Sequence, residues 1–172
     1  QQEVDTSVDK TREIINSLCS CISVLSLLIR SQHHSERIDL RESVENAATA
    51  IRLQYKRQFC IRTGYMHTFA VDSDKHFLFR FFRVVLEKAC CLSDSETVIH
   101  IFFLRREKTI VCSVVFCLSS DFHLKQLANA LHNSCLHILL RTSVIECLHG
   151  DVRAIRTKRR YAYSVMVPDS AN

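Results

Sequence analysis

Residues 112–168 read CSVVFCLSSDFHLKQLANALHNSCLHILLRTSVIECLHGDVRAIRTKRRYAYSVMVP. A β-rich run ending at Cys117 leads to a short helix that Asp121 or Ser120 can cap. A second, long apolar helix follows from about Cys135 to His149. Gly150 is the expected left-handed terminator of that helix. VRAIRT (152–157) and YAYSVMV (161–167) then pair across KRR, and Pro168 ends the element. Gly150 is one of only two glycines in 172 residues, where average composition gives about a dozen.

The same alternation runs upstream. Thr97–Leu104 and Thr109–Cys117 are β-rich runs split by RREK, a hairpin without glycine. Before them, Asp72 or Ser73 can cap a helix with Leu78, Phe81, Phe82, Val85 and Ala89 on its inner side. FCIRTGYMHTFAV (59–71) is strand-like, with Gly64 at a bulge or turn. Asp39 and Glu42 form a capping-box pattern. The helix they open has Val44, Ala47, Ala48, Ile51 and Tyr55 on its buried face. Helices are therefore expected at about 39–57, 73–92 and 134–149, all on one face of a mixed, largely antiparallel sheet. The fold class is a two-layer α/β sandwich preceded by a bundle-type helix.

That leading helix spans about Lys10 to Ser31, with Ile14, Leu18, Ile22, Leu25 and Ile29 on one apolar stripe. Two readings stay open: the stripe pairs with its own copy in a homodimer, or it packs on its own domain. SQHHSERI is a polar break, which divides the chain into residues 1–37, a partial dimerisation bundle, and 38–172, the sandwich.

Composition narrows the function. The chain is 47% hydrophobic and 24% charged, so it is globular. No apolar run reaches membrane-span length, so this stretch is not expected to insert. The start, QQEVDTSVDK, reads as an excised fragment, so a membrane segment can lie outside it. The nine cysteines are scattered through apolar runs, which points to buried thiols in a reducing cytoplasm. Cys19 with Cys21, Cys90 with Cys91, and Cys135 with His137 are the conceivable metal clusters. None has CxxC spacing, and no metal is expected.

From about Ile38 to Pro168 the chain resembles the ATP-binding domain of sensor histidine kinases. RIDLRESVENAATAIRLQYKRQ is similar to the family's first helix, and DKHFLFRFFRVVLEKACCLSDSETVIHIFF to its second helix and next strand. LLRTSVIECLHGDVRAI is similar to the family's closing helix, glycine and strand. The resemblance implies that fold, and it also marks where the nucleotide site has been erased. The family's magnesium-binding Asn falls on Lys88, whose ammonium cannot ligate a cation. Its adenine-reading Asp falls on Cys117, with Ser119 and Asp121 on glycines of that box; Asp121 is either a displaced remnant of the adenine-reading Asp or a helix cap. The phosphate-cradling glycines fall on Asn133, Cys135 and His137. The late hairpin has lost its glycines to Lys158 and Arg159. If each loss cost only about 1.4 kcal/mol, five together would weaken binding by roughly five decades, assuming additivity.

The resemblance therefore implies a catalytically inactive pseudokinase of a bacterial phosphorelay, without cofactor, that dimerises and docks a sensor kinase, response regulator or receiver domain. The phosphotransfer partner of the Rcs envelope-stress relay is a degenerate protein of this type. Such a module is cytoplasmic, including as the cytoplasmic part of an inner-membrane protein. The alternative is a histidine phosphotransferase on the same frame, with His33 or His34 as acceptor. A weaker reading is nucleic-acid binding through the basic hairpin (Arg153, Arg156, Lys158, Arg159, Arg160 and Tyr161), prompted by the net charge of +5. Arg156, Lys158, Arg159 and Arg160 otherwise form a docking surface for acidic receivers.

Overall fold

The computed structural model describes residues 19, 22, 26, 35–63, 68–94, 96–119, 130–157 and 159–170, with side chains in the last helix from His137 onward. The elements run β1 (Glu36–Asp39), α1 (Leu40–Tyr55), β2 (Phe59–Arg62), β3 (Ala70–Ser73), α2 (Lys75–Leu92), β4 (Ile99–Arg106), β5 (Thr109–Cys117), α3 (Ala130–Leu148), β6 (Asp151–Arg156) and β7 (Arg160–Pro168). Five strands form one sheet in the order β2-β4-β5-β7-β6, and β1 and β3 form a separate antiparallel pair. Only β2 and β4 run parallel within the larger sheet; its other neighbours are antiparallel. This is the two-layer sandwich that the sequence predicts.

Strand alternation places the core. Ile99, Ile101 and Phe103 of β4, Ile110, Cys112, Val114 and Phe116 of β5, and Tyr163, Val165 and Val167 of β7 are buried. They share one cluster with Val44, Ala47, Ala48 and Ile51 of α1, Leu78, Phe81, Phe82, Val85 and Ala89 of α2, and Leu140, Val144 and Leu148 of α3. Period-two strands and period-3.6 helices thus present their apolar sets to a single layer.

Several local expectations are corrected. Residues 59–71 do not make one strand: Phe59–Arg62 joins the large sheet, whereas Ala70–Ser73 pairs with β1. Gly64 lies outside the described residues. Strand β1, Glu36–Asp39, takes in the last three residues of the expected polar break and Asp39, because it supplies the ladder partner of β3. Asp72 and Ser73 are used by that ladder, so Asp74 caps α2, its carboxylate accepting from the Phe77 N–H at 2.8 Å. Asp39 does cap α1, accepting from Arg41 N–H at 3.0 Å and from Phe69 N–H at 3.2 Å. Glu42 faces Lys75 at 3.5 Å. Tyr55, on the last turn of α1, is at the surface and not on the buried face.

The scarcity of glycine is met by other residues. Lys56 after α1, Glu107 in the β4–β5 turn and His149 after α3 all adopt left-handed backbone, with φ of 50–52°. His149, one residue before Gly150, is therefore the left-handed terminator of α3. Gly150 is needed for close approach instead: a Cβ there would lie 2.1 Å from the Met166 carbonyl oxygen. The helix itself begins at Ala130, earlier than expected. Within the leading segment Cys19, Ile22 and Ser26 are helical, and Ile22 is 62% exposed. Ile14, Leu18, Leu25 and Ile29 lie outside the described residues, as do His33, His34, Ser120 and Asp121.

Candidate functional site

Of the positions that the resemblance assigns to nucleotide handling, Lys88 lies near the end of α2 and Cys117 and Ser119 where β5 runs out. Lys88 stands one turn before the end of α2, half-buried beside the fully buried Ala89. Cys117 is the last residue of β5 and is exposed. Two residues on, the Ser119 N–H donates to the Leu92 carbonyl at 2.9 Å, tying the outgoing strand to the end of α2. Ser119 is itself buried, so this crossing is part of the core's edge.

The same strand end meets the basic hairpin, which sequence spacing alone keeps 40 residues away. Cys117 is the ladder partner of Arg160, and the Leu118 N–H donates to the Arg159 carbonyl at 3.0 Å. The hairpin turn is closed by Thr157, whose N–H donates to the Arg160 carbonyl at 2.8 Å and whose Oγ1 accepts from the Arg160 N–H at 3.0 Å. Arg156, Arg159 and Arg160 are exposed; Lys158 lies outside the described residues. Arg156 and Arg160 fall on opposite faces of the sheet, since Arg156 pairs with Tyr161 in the core-facing register. Arg156 and Arg160 therefore do not share one face.

A phosphate cradle needs consecutive backbone N–H groups free to point at anionic oxygens, usually with glycine supplying positive φ. Asn133, Cys135 and His137 instead belong to α3. Only the first four N–H groups of a helix lack internal acceptors, so those of Cys135 and His137 are already used by the helix. The side chains of Asn133 and Cys135 lie outside the described residues. His137 is half-buried, and its Nδ1 is covered without a hydrogen-bond partner.

One residue at this end carries no motif signal. Arg57 is 6% exposed. Its Nη2 donates to the carbonyls of Cys90 and Ser93, each at 2.7 Å, and its Nη1 to the Asp94 carbonyl. These are the orphan carbonyls at the C-terminus of α2, where a cation also complements the helix dipole. In sequence Arg57 is one basic residue in KRQ before a strand. Its role becomes visible only when 33 to 37 residues of separation are folded away.

The thiols here are held neutral. Burial pushes Cys90 up to about 12, with the Arg57 charge opposing, and burial drives Cys112 higher still. A neutral thiol is neither a metal ligand nor a nucleophile. Among the described residues no group of three or more His, Cys, Asp or Glu side chains is placed to hold a metal ion, and no helix is long and apolar enough to cross a membrane.

No family model matches the sequence, and no curated protein matches it. Solved structures do match the fold. The catalytic domain of histidine kinase ThkA, in a nucleotide-free form, superposes with a TM-score of 0.63 at 11% identity, covering 79% of this chain and 96% of that one. The Acinetobacter baumannii histidine kinase AdeS superposes with a TM-score of 0.64 at 13% identity, covering 99% and 86%. Histidine kinase ThkA in complex with response regulator protein TrrA gives 0.61 at 11% identity, covering 91% and 49%. At such identities the likeness is one of fold: this chain has the architecture of a histidine-kinase catalytic domain.

Proposed function

We propose that this chain is a histidine-kinase-like module that no longer handles ATP and serves a two-component phosphorelay as a dimerisation and docking scaffold, in the manner of the degenerate Rcs-type phosphotransfer partner. The observation that carries the reading is the backbone at Cys135 and His137. A frame shared with kinase catalytic domains holds a regular helix there, where phosphate binding needs free N–H groups. Lys88 adds a positive charge where a magnesium ligand is required, and Cys117 is a poor acceptor for an adenine amino group. The kinase found in complex with a response regulator supports a protein partner of that class.

Calorimetric titration of the intact chain with ATP and magnesium tests the proposal. No saturable heat is expected up to millimolar nucleotide. Magnesium-dependent binding at micromolar concentration overturns it.

A further inference from the structure

The helices cover one face of the five-stranded sheet; the other face carries a patterned surface of its own. Register places two full rungs on it and a third that lacks β2. Cys60, His100, Val115, Ala162 and Ile155 share one, and Arg62, Phe102, Ser113, Ser164 and Arg153 the next. Leu104, Val111, Met166 and Asp151 make the third. This face carries the apolar side chains of Phe102, Leu104, Val111, Val115 and Met166 on its inner strands and Ile155 on β6. Leu104 is 46% and Ile155 56% exposed. The central serines, Ser113 and Ser164, share one hydrogen bond at 2.9 Å.

Arginines stand on every side of that apolar centre. Arg62 is at the β2 edge, its guanidinium 5.8 Å from the Phe102 ring centroid, and Arg153 is at the β6 edge. Arg106 lies at the β4–β5 turn, and Arg160 at the opposite end, beside Cys117. The only acidic strand residue on this face is Asp151, which Arg153 at 3.4 Å and Arg141 at 3.5 Å already engage. Five strands at about 4.8 Å make the face about 19 Å wide, and six residues at about 3.3 Å make it about 20 Å long. That footprint, polar residues included, is close to 400 Å². An α-helix of about 13 residues is 20 Å long and about 10 Å wide.

We infer that this face is the docking surface for an acidic amphipathic helix of a protein partner, its apolar stripe on Phe102, Leu104 and Val111 and its carboxylates toward Arg62, Arg106 and Arg160. Helix on sheet is the packing the domain already uses on its other side. Charge decides among occupants. A second copy laid face to face would bring arginine rims together, and like charges across an interface cost affinity. Nucleic acid would use the arginines but would leave the apolar centre without a complement. The inference rests on the docking part of the proposed function. ATP binding would overturn the loss of nucleotide handling and leave this face as it is.

The test uses the whole chain and a fluorescent 18-residue helical peptide with a Leu stripe flanked by Glu, followed by anisotropy. A control peptide carries Lys at every Glu. The acidic peptide is expected to bind, more weakly as salt rises, and the basic one not to bind. Arg106→Glu with Arg160→Glu should weaken the acidic peptide at least tenfold without altering circular dichroism, and Leu104→Ser should weaken both binding and its salt-independent part. Equal binding of both peptides, or an acidic-peptide affinity unchanged by the arginine reversals, overturns the inference. So does sedimentation showing a dimer that Leu104→Ser abolishes, or duplex DNA binding that exceeds peptide binding and is lost in the same arginine variant.

Discussion

Replacing Arg57 by Met keeps much of the aliphatic volume and removes the guanidinium from the end of α2. The carbonyls of Cys90 and Ser93 then lose the Arg57 donor at a residue that is 6% exposed, whereas the Asp94 carbonyl keeps the Thr97 N–H and Oγ1. A hydrogen bond to a charged group contributes about 1.5–3 kcal/mol, so the gross loss of two at the lower end is about 3 kcal/mol. Removing a buried cation recovers part of its desolvation cost, which we set at about 1 kcal/mol. The net destabilisation is then about 2 kcal/mol. For a chain of this size that lowers Tm by about 4–8 °C. Arg57→Lys retains the charge but not the fork of donors, so it should fall near the midpoint between wild type and Met. Differential scanning calorimetry with urea titration reads both values. A Met variant within about 0.5 kcal/mol of wild type, or a Lys variant less stable than Met, refutes the assignment of Arg57 as the cation that closes α2.

Two further outcomes follow from packing and protonation. Gly150→Ala places a Cβ 2.1 Å from the Met166 carbonyl oxygen; because the obstacle is backbone, relief must come from separating α3 and β6 from β7, and a loss of about 2–3 kcal/mol in urea unfolding is expected. A loss below about 0.5 kcal/mol would mean the approach is not tight. Stability should also fall as pH rises above 9. Burial raises Cys90 to about 12 and raises Cys112 and Tyr163 further, so between the ordinary and raised values the folded state holds protons that the unfolded chain has lost. Urea midpoints at pH 8 and pH 10.5, measured with reductant present, should differ in that direction; equal midpoints contradict the neutral, buried state of these groups.

Local pattern was enough for the elements of the sandwich. The apolar spacing of Leu78, Phe81, Phe82, Val85 and Ala89, the alternation through Ile99–Phe103 and Ile110–Phe116, and the Asp39 cap each encode their own geometry within a few residues. Periodicity is a local property, and a chain carries it whether folded or not. The proposed replacements at Lys88, Cys117, Asn133, Cys135 and His137 rest on the same kind of local reading, a residue type set against a motif position.

What required the tertiary structure is what depends on distant backbone. Which side chain caps α2 turned on a ladder with β1 that used Ser73 and left Asp74 as the first residue free. The left-handed site after α3 fell to His149 because Gly150 was needed where Met166 comes within reach. Arg57 has no signal of its own until the α2 carbonyls arrive beside it. The basic residues of the hairpin looked like one patch, yet strand pleating sends Arg156 and Arg160 to opposite faces. It also gathers Arg62, Arg106, Arg153 and Arg160 from four strands around one apolar centre. Sequence order determines which face each residue takes within its strand; only the pairing of strands decides which residues become neighbours.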